Sequence, residues 1–245
     1  MKTLYIDCTN GVCADMFISG FRGLGVEVPE GLEEDVLHAV HHVLEDHGHS
    51  HGDGHHHHDD HGAGHGHSHD HAHAHGTSYQ DVKHIIAHVN ADDRAKETAQ
   101  EIYRAIAEAE AKVHEATLDT VHFHEVGRPQ AIVNVMTVAA MLTEIGADRI
   151  VCSEIHDGQG TIECSHGVIP VPVPAVRAMM DSCAYTFKQE DVETELVTPS
   201  GLGMLIGMRA VCASRPQGSI IAKGVGYGGR DTGRGGMEIY LIDEE

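Results

Sequence analysis

Cationic charge and long apolar runs are both scarce in this 245-residue chain. It has only 16 lysines and arginines against 38 aspartates and glutamates, a net charge of −22 with histidine neutral. Such an acidic chain repels nucleic acid and anionic membranes and attracts cations. No apolar run approaches the roughly 20 residues that span a bilayer, and Asp7 falls where a signal peptide would still be apolar. We therefore expect a cytoplasmic protein that binds neither nucleic acid nor membrane.

Paired cysteines are absent as well. The six cysteines include no Cys-x-x-Cys pair and show no regular spacing, and most of them have apolar neighbours. Disulfide frames and zinc knuckles both need such pairs or repeats. The pattern therefore predicts reduced, largely buried thiols.

Histidine, by contrast, is abundant in one segment. Fourteen of the 29 residues from His47 to His75 are histidine, and the others are glycine, serine, alanine and aspartate. Without larger apolar side chains the segment cannot bury a core, so we predict a disordered insertion over residues 47–76. Imidazole suits nickel, zinc and copper, so we expect a metal-collecting loop, with an inert linker or tag as the alternative. Its candidate ligands include His55, His56, His57 and His58.

Outside this tract, the sequence predicts a single core of the α/β or α+β class, with a mixed sheet and a helical middle segment. Residues 1–46 form its N-terminal strand–helix unit, and residues 77–245 form the remainder. The predicted helices are Ala14–Gly23, Glu33–Leu44, Tyr79–Val89, Ala91–His114, Ala131–Ile145, Pro174–Asp181 and Gly201–Met208. The predicted strands are Thr3–Asp7, Arg149–Ile155, Gly160–Cys164, Tyr185–Gln189, Ser219–Val225 and Met237–Ile242.

The first motif with chemical potential is HFHEVG, from His122 to Gly127. If this segment is extended, His122 and His124 lie on one face, about 6–7 Å apart along the strand. Two imidazoles on one face can share a metal, and Glu125 could serve as a third ligand or a base. The alternative is a pair of hydrogen-bonded surface residues beside a helix start.

The second motif is CSHGVIPVPVPA, from Cys164 to Ala175. Its three alternating prolines lock an extended backbone. Such a backbone could hold His166 in a fixed position, although a purely structural loop explains the prolines equally well.

Two further segments could bind an anion. In ELVTPSG, Thr198 and Ser200 flank a proline at a helix start, where hydroxyl and N–H groups suit either a phosphate or an ordinary N-cap. The glycine-rich segment 224–236 could cradle phosphate, with Arg230 and Arg234 supplying charge, although it is not a Walker motif.

Taken together, these segments resemble the LarC family of nickel insertion proteins, which act in the pathway of the nickel-pincer nucleotide. The matching segments are LYIDCTNGVCADMF, HFHEVG, SHGVIPVPVPA, ELVTPSG and GVGYGGRD. They occur in the family's order, with a histidine-rich insertion after the second helix. The resemblance covers nearly the whole chain.

The resemblance implies a nickel chelatase, a lyase that inserts nickel into pyridinium-3,5-bisthiocarboxylic acid mononucleotide. In the product, two sulfurs and a ring carbon bind the metal, and the family uses CTP hydrolysis with Mg²⁺ or Mn²⁺. Because a carbon–metal bond replaces a ring proton, a base is needed. The candidate bases are His124, Glu125 and His166, which together with His122 are also candidate nickel ligands. The candidate cofactor-binding residues are Asp7, Asp15, Thr198, Ser200 and Arg230.

Two departures from the family pattern bear on this expectation. Two acids four residues apart after HFHEVG are replaced by Gln130 and Asn134, which weakens any site for a hard cation. Many relatives also carry a further C-terminal domain, which a separate chain could supply. We expect a homo-oligomer. The alternatives are a non-enzymatic nickel storage or delivery protein, a diverged paralogue or, more weakly, a zinc hydrolase, since HFHE lacks the HExxH spacing.

Overall fold

Helices and strands alternate along most of the chain. The structure is a computed structural model and describes residues 1–46, 76–164 and 167–244. In chain order the elements are β1 (Lys2–Asp7), α1 (Ala14–Gly23), α2 (Leu32–Asp46), β2 (Thr77–Ser78), α3 (Tyr79–His88), α4 (Asp93–Val113), β3 (His122–Phe123), α5 (Pro129–Ile145), β4 (Arg149–Cys152), β5 (Ile155–Asp157), β6 (Thr161–Cys164), β7 (Gly167–Pro170), α6 (Pro174–Met180), β8 (Phe187–Gln189), α7 (Pro199–Gly207), β9 (Val211–Cys212), β10 (Ser219–Gly226) and β11 (Met237–Asp243).

A five-stranded mixed sheet in the order β10-β11-β1-β4-β9 supports the fold. Strand β1 pairs in parallel with β4, and β4 pairs in parallel with β9. On its other side, β1 pairs antiparallel with β11, which pairs antiparallel with β10. Leu4 and Ile6 of β1 are fully buried, because both neighbours of this central strand are occupied and helices cover its apolar face.

Helix α4 organises the helical layer by packing against α5, α6 and α7. Small and branched apolar side chains recur on one face of it, among them Ala95, Ala99, Ile102 and Ile106, and all four are fully buried. This spacing of three or four residues gives a helix one continuous apolar stripe. Helix α5 ends at Gly146, which adopts the left-handed conformation that suits glycine.

The α/β fold with a mixed sheet and a helical middle segment is confirmed. The helices of the middle segment have the predicted bounds to within a few residues. The predicted strand from Arg149 to Ile155 is instead divided into β4 and β5. Ser153 separates them, because its hydroxyl accepts the Cys8 N–H at 2.8 Å and donates to the Glu154 carbonyl at 2.7 Å. Strand β5 then pairs with β8 in a separate two-stranded sheet.

Some predictions concern residues outside the described ranges. Residues 47–75 of the predicted disordered insertion lie outside the described ranges, as does His166. None of the described helices is both long enough and apolar enough to cross a membrane.

Candidate functional site

A cavity of about 580 Å³ opens where the helical layer meets the β6–β7 hairpin. Its walls come from the end of α4, the loop after β3, the hairpin and the starts of α6 and α7. The polar residues that line it are Glu110, His114, His124, Glu125, Glu163, Cys164, Glu195, Thr198, Ser200 and Arg230. A cavity of this size with a mixed lining suits a small-molecule ligand.

Two imidazoles meet in this cavity. His114 caps the C-terminus of α4, and its ring centroid lies 6.1 Å from that of His124. The Glu110 carboxylate lies 3.4 Å from Nε2 of His114, one helical turn away. A carboxylate in contact with an imidazole fixes the ring's orientation and raises its basicity as a metal ligand.

His122 lies elsewhere. Strand β3 contains only His122 and Phe123, and the chain bends at His124. The ring Nδ1 of His122 contacts the Thr120 carbonyl at 2.9 Å, and the residue does not line the cavity. The structure therefore pairs His124 with His114, ten residues earlier in the chain.

The start of α7 forms one wall of the cavity and carries groups suited to an anion. Thr198 is its N-cap, and the Thr198 hydroxyl accepts the Gly201 N–H at 3.1 Å and lies 3.2 Å from the Ser200 hydroxyl. A helix N-terminus carries partial positive charge and favours anions. Arg230, from the glycine-rich segment, adds a full positive charge to the same cavity.

Glu195 is the buried carboxylate of this wall. Its side chain is 9% exposed and accepts from Nη1 of Arg230 at 2.8 Å. Burial raises the pKa of Glu195, and the nearby Asp157 adds to that effect, whereas Arg230 opposes it. A carboxyl group whose pKa lies above its ordinary range is better matched to proton transfer near neutral pH.

Asp157, at the end of β5, holds this wall in place. It is 2% exposed, and its Oδ1 accepts three backbone N–H groups: those of Gly158 at 2.8 Å, Leu196 at 2.9 Å and Val197 at 3.0 Å. Burial raises its pKa, while these three hydrogen bonds act in the opposite direction. Val12 adds backbone hydrogen bonds to Leu196 and Thr198, so the chain between Glu195 and α7 is fixed from two sides.

The structure brings five of the predicted site residues into one cavity, namely His124, Glu125, Thr198, Ser200 and Arg230. Asp7 instead caps the turn after β1 by accepting from the Thr9 N–H and hydroxyl, and Asp15 is exposed in the first turn of α1. Neither lines the cavity. His55, His56, His57, His58 and His166 lie outside the described residues.

Several residues of the cavity had no role assigned from the sequence, above all Glu110, His114 and Glu195. Glu110 and His114 have the spacing of one helical turn, but this spacing is common on exposed helix faces. Glu195 opens the ELVTPSG motif, but its burial depends on contacts distant in sequence. Among the described residues, no group of three or more His, Cys, Asp or Glu side chains has a geometry that could hold a metal ion.

Comparison with known proteins identifies one family. A family model described as "Nickel insertion protein" matches residues 4–238. The pyridinium-3,5-bisthiocarboxylic acid mononucleotide nickel insertion protein of Acetivibrio thermocellus is 34% identical over 240 residues, which cover 96% of this chain and 58% of that protein. The protein of the same name from Lactiplantibacillus plantarum is 35% identical over 250 residues, covering 95% and 59%. This chain therefore spans about three fifths of the length of these relatives. No solved structure matches it.

From the hydrogen bonds of Asp157 we predict a large difference in the free energy of unfolding between two substitutions. Asp157→Ala leaves three N–H groups without their acceptor, and each costs about 1–3 kcal/mol when buried, so we expect a loss of at least about 3 kcal/mol in the free energy of unfolding. Asp157→Asn keeps the accepting oxygen and should lose much less. Urea unfolding of both variants measures the difference, and equal losses would contradict the assigned role of Oδ1.

From the raised pKa of Glu195 we predict a pH-dependent difference in stability between the wild type and the Glu195→Gln variant. Because its pKa is raised in the folded protein, the protonated group stabilises the fold at low pH, and this contribution is lost as pH rises through the folded-state pKa. Glu195→Gln should therefore match the wild type in melting temperature near pH 4 and exceed it near pH 7. Glu163→Gln removes an exposed carboxylate from the same cavity and serves as the control. A wild type that is more stable than Glu195→Gln at pH 7 would show that the Arg230 ion pair outweighs burial.

Proposed function

Because this chain belongs to the nickel insertion protein family, we propose that it acts as a nickel chelatase on pyridinium-3,5-bisthiocarboxylic acid mononucleotide. The observation that carries the proposal is the composition of the 580 Å³ cavity. It combines an imidazole pair suited to nickel with a helix N-terminus and an arginine suited to a phosphate.

The phosphate of the mononucleotide matches the wall formed by α7. Thr198 and Ser200 supply hydroxyl groups there, and Arg230 supplies a guanidinium. Arginine binds phosphate through two parallel hydrogen bonds, for which the substrate would have to compete with Glu195. The pyridinium ring would then lie against the apolar part of the lining, which includes Val113, Val126, Ala131, Ile162, Ile169 and Val173.

Nickel is the cargo of this reaction, and two imidazoles are enough to present it. The substrate contributes two sulfurs and a ring carbon, so the protein has to hold the ion only until these groups replace its ligands. His114 and His124 fit this task, with Glu110 and Glu125 providing negative charge nearby. A weak two-histidine site also favours release of the ion to the stronger sulfur and carbon ligands.

The ring carbon must lose a proton as its bond to nickel forms, and that proton has to pass to a base. His124 and Glu125 keep the role that the sequence suggested. Glu125 is about half exposed and accepts from Arg128 at 2.8 Å. Glu195 joins them as a third candidate, since its burial and raised pKa favour a proton acceptor near neutral pH.

The resemblance also implies CTP with Mg²⁺ or Mn²⁺, and the described residues fit this group poorly. Gln130 and Asn134, which replace the family's two acids, are directed at each other, with Nε2 of Gln130 donating to Oδ1 of Asn134 at 3.1 Å. Neither offers the charged oxygen that hard cations prefer. We propose that any CTP dependence requires the part of the relatives that this chain does not span.

The imidazole pair provides the test. The protein is incubated with the nickel-free mononucleotide, Ni²⁺ and CTP, with and without the remaining domain of a relative. Because the family resemblance implies a cofactor that serves lactate racemase, the product is assayed by activation of that enzyme. His114→Ala and His124→Ala should each lower activation by more than about tenfold, whereas His122→Ala should leave it near the wild-type value. Absence of product from the wild type, even with the added domain, would exclude the chelatase function.

Nickel storage or delivery without insertion is the alternative, and the histidine-rich tract is the feature that favours it. Deletion of residues 47–75 separates the two functions. If the tract only collects metal for an enzyme, deletion should lower the number of nickel ions retained per chain but leave insertion unchanged at saturating Ni²⁺. Nickel retention with no insertion by either form would favour storage.

A further inference from the structure

Three more imidazoles meet outside the cavity, on the paired helices α2 and α3. His84 and His88 are one turn apart on α3, and their ring centroids are 4.4 Å apart. His42 of α2 stacks on His88 at 6.3 Å with an interplanar angle of 19°. All three side chains are exposed.

The contact between these helices is held by apolar residues below the rings. Val40 and Val43 of α2 and Ile85 and Ile86 of α3 are buried, and the two helices pack directly against each other. The backbone positions of the three histidines are therefore fixed by the core, and their side chains lie at the surface.

A hydrogen bond sets the tautomer of the central ring. Nδ1 of His88 lies 2.8 Å from the backbone carbonyl oxygen of His84. A carbonyl oxygen only accepts, so Nδ1 carries the hydrogen and, in the neutral ring, the lone pair is on Nε2. Metal-binding histidines commonly have this arrangement, with one ring nitrogen donating to a carbonyl and the other bound to the ion.

Like the tautomer, the spacing of the histidines along the helix suits metal binding. Two histidines four residues apart lie on one helix face and can bind the same ion, and His84 and His88 have this spacing. His38 and His42 repeat it on α2. Two histidine pairs with this spacing thus lie on neighbouring helices, with the ring of His42 beside that of His88.

We propose that His84 and His88, joined by His42, form a second binding site for a divalent transition-metal ion such as nickel. Among the described residues, no three ligating side chains already stand in metal geometry, so an ion would bind through His84 and His88 first, with water at its other positions. His42 would join by rotation of its exposed side chain. The site would be separate from the cavity, and it does not require that the cavity insert nickel.

Its position in the sequence suggests a use for it. The histidine-rich tract begins directly after α2 and ends just before β2 and α3. The site therefore lies on the helix from which the tract departs and on the helix that follows it. An ion released from the tract would find folded ligands there.

The test needs a chain in which the tract does not compete. The test uses the full-length protein with the fourteen histidines of the tract replaced by serine, which leaves ten of the 24 histidines. In this background, the double substitution His84→Ala and His88→Ala should remove one bound nickel ion per chain in equilibrium dialysis. His41→Ala, which removes an exposed imidazole of α2 paired with Glu45, should remove none.

A second readout requires no substitution at the site. In the same tract-substituted protein, substoichiometric Ni²⁺ should broaden the ring resonances of His42, His84 and His88 in NMR spectra, while those of His122 stay sharp. An unchanged nickel count in the double variant, or three resonances that Ni²⁺ leaves sharp, would overturn the proposal. His114→Ala separates it from the chelatase function, because this variant should lose insertion but keep the α2–α3 site.

Discussion

The carboxylate of Asp157 is the interaction on which the candidate site depends. Taking a carboxyl group out of water is costly unless hydrogen bonds compensate, and three backbone N–H groups do so here. Two of them belong to Leu196 and Val197, so the same interaction determines where Glu195 and the start of α7 lie. The wall formed by the start of α7 is therefore positioned by the end of β5, about forty residues earlier in the chain, and not by its own sequence neighbours.

The close packing of these segments also explains two glycines of the motifs, Gly11 and Gly201, and a third at Gly158. A side chain at Gly11 would place Cβ 2.3 Å from the Leu196 carbonyl oxygen, and one at Gly201 would place it 2.3 Å from that of Val12. At Gly158 the distance to the Thr194 carbonyl oxygen would be 1.9 Å. Only glycine permits such close backbone approach. The loop after β1, the loop after β5 and the start of α7 are thus packed as one unit.

Apolar patterning was enough to predict most of the fold. Helix α4 buries one apolar stripe, whereas β1 and α5 are buried on nearly all sides, and both the stripe and the apolar runs are visible in the sequence. The candidate site was harder to predict from the sequence. Period-two spacing placed His122 and His124 on one face, but β3 ends at Phe123, and the partner of His124 in the cavity is His114. The burial of Glu195 and the role of Asp157 arise from contacts between segments about forty residues apart, which no local pattern records. Thr198, Ser200 and Arg230 were predictable because capping chemistry and charge are local properties.

For the proposed nickel insertion, the arrangement of the imidazoles would give the transfer a direction. A site with four protein ligands, as in structural zinc centres, would keep its ion. Each described imidazole cluster instead brings only two or three rings together, and none has complete metal geometry. Such sites hold an ion weakly enough to lose it to a better ligand set. The mononucleotide would offer two sulfurs and a ring carbon, which is a larger and softer donor set than two imidazoles. In the proposed reaction the protein would not need to drive nickel out of its own sites, because the difference in ligand strength between two imidazoles and the substrate would supply the driving force.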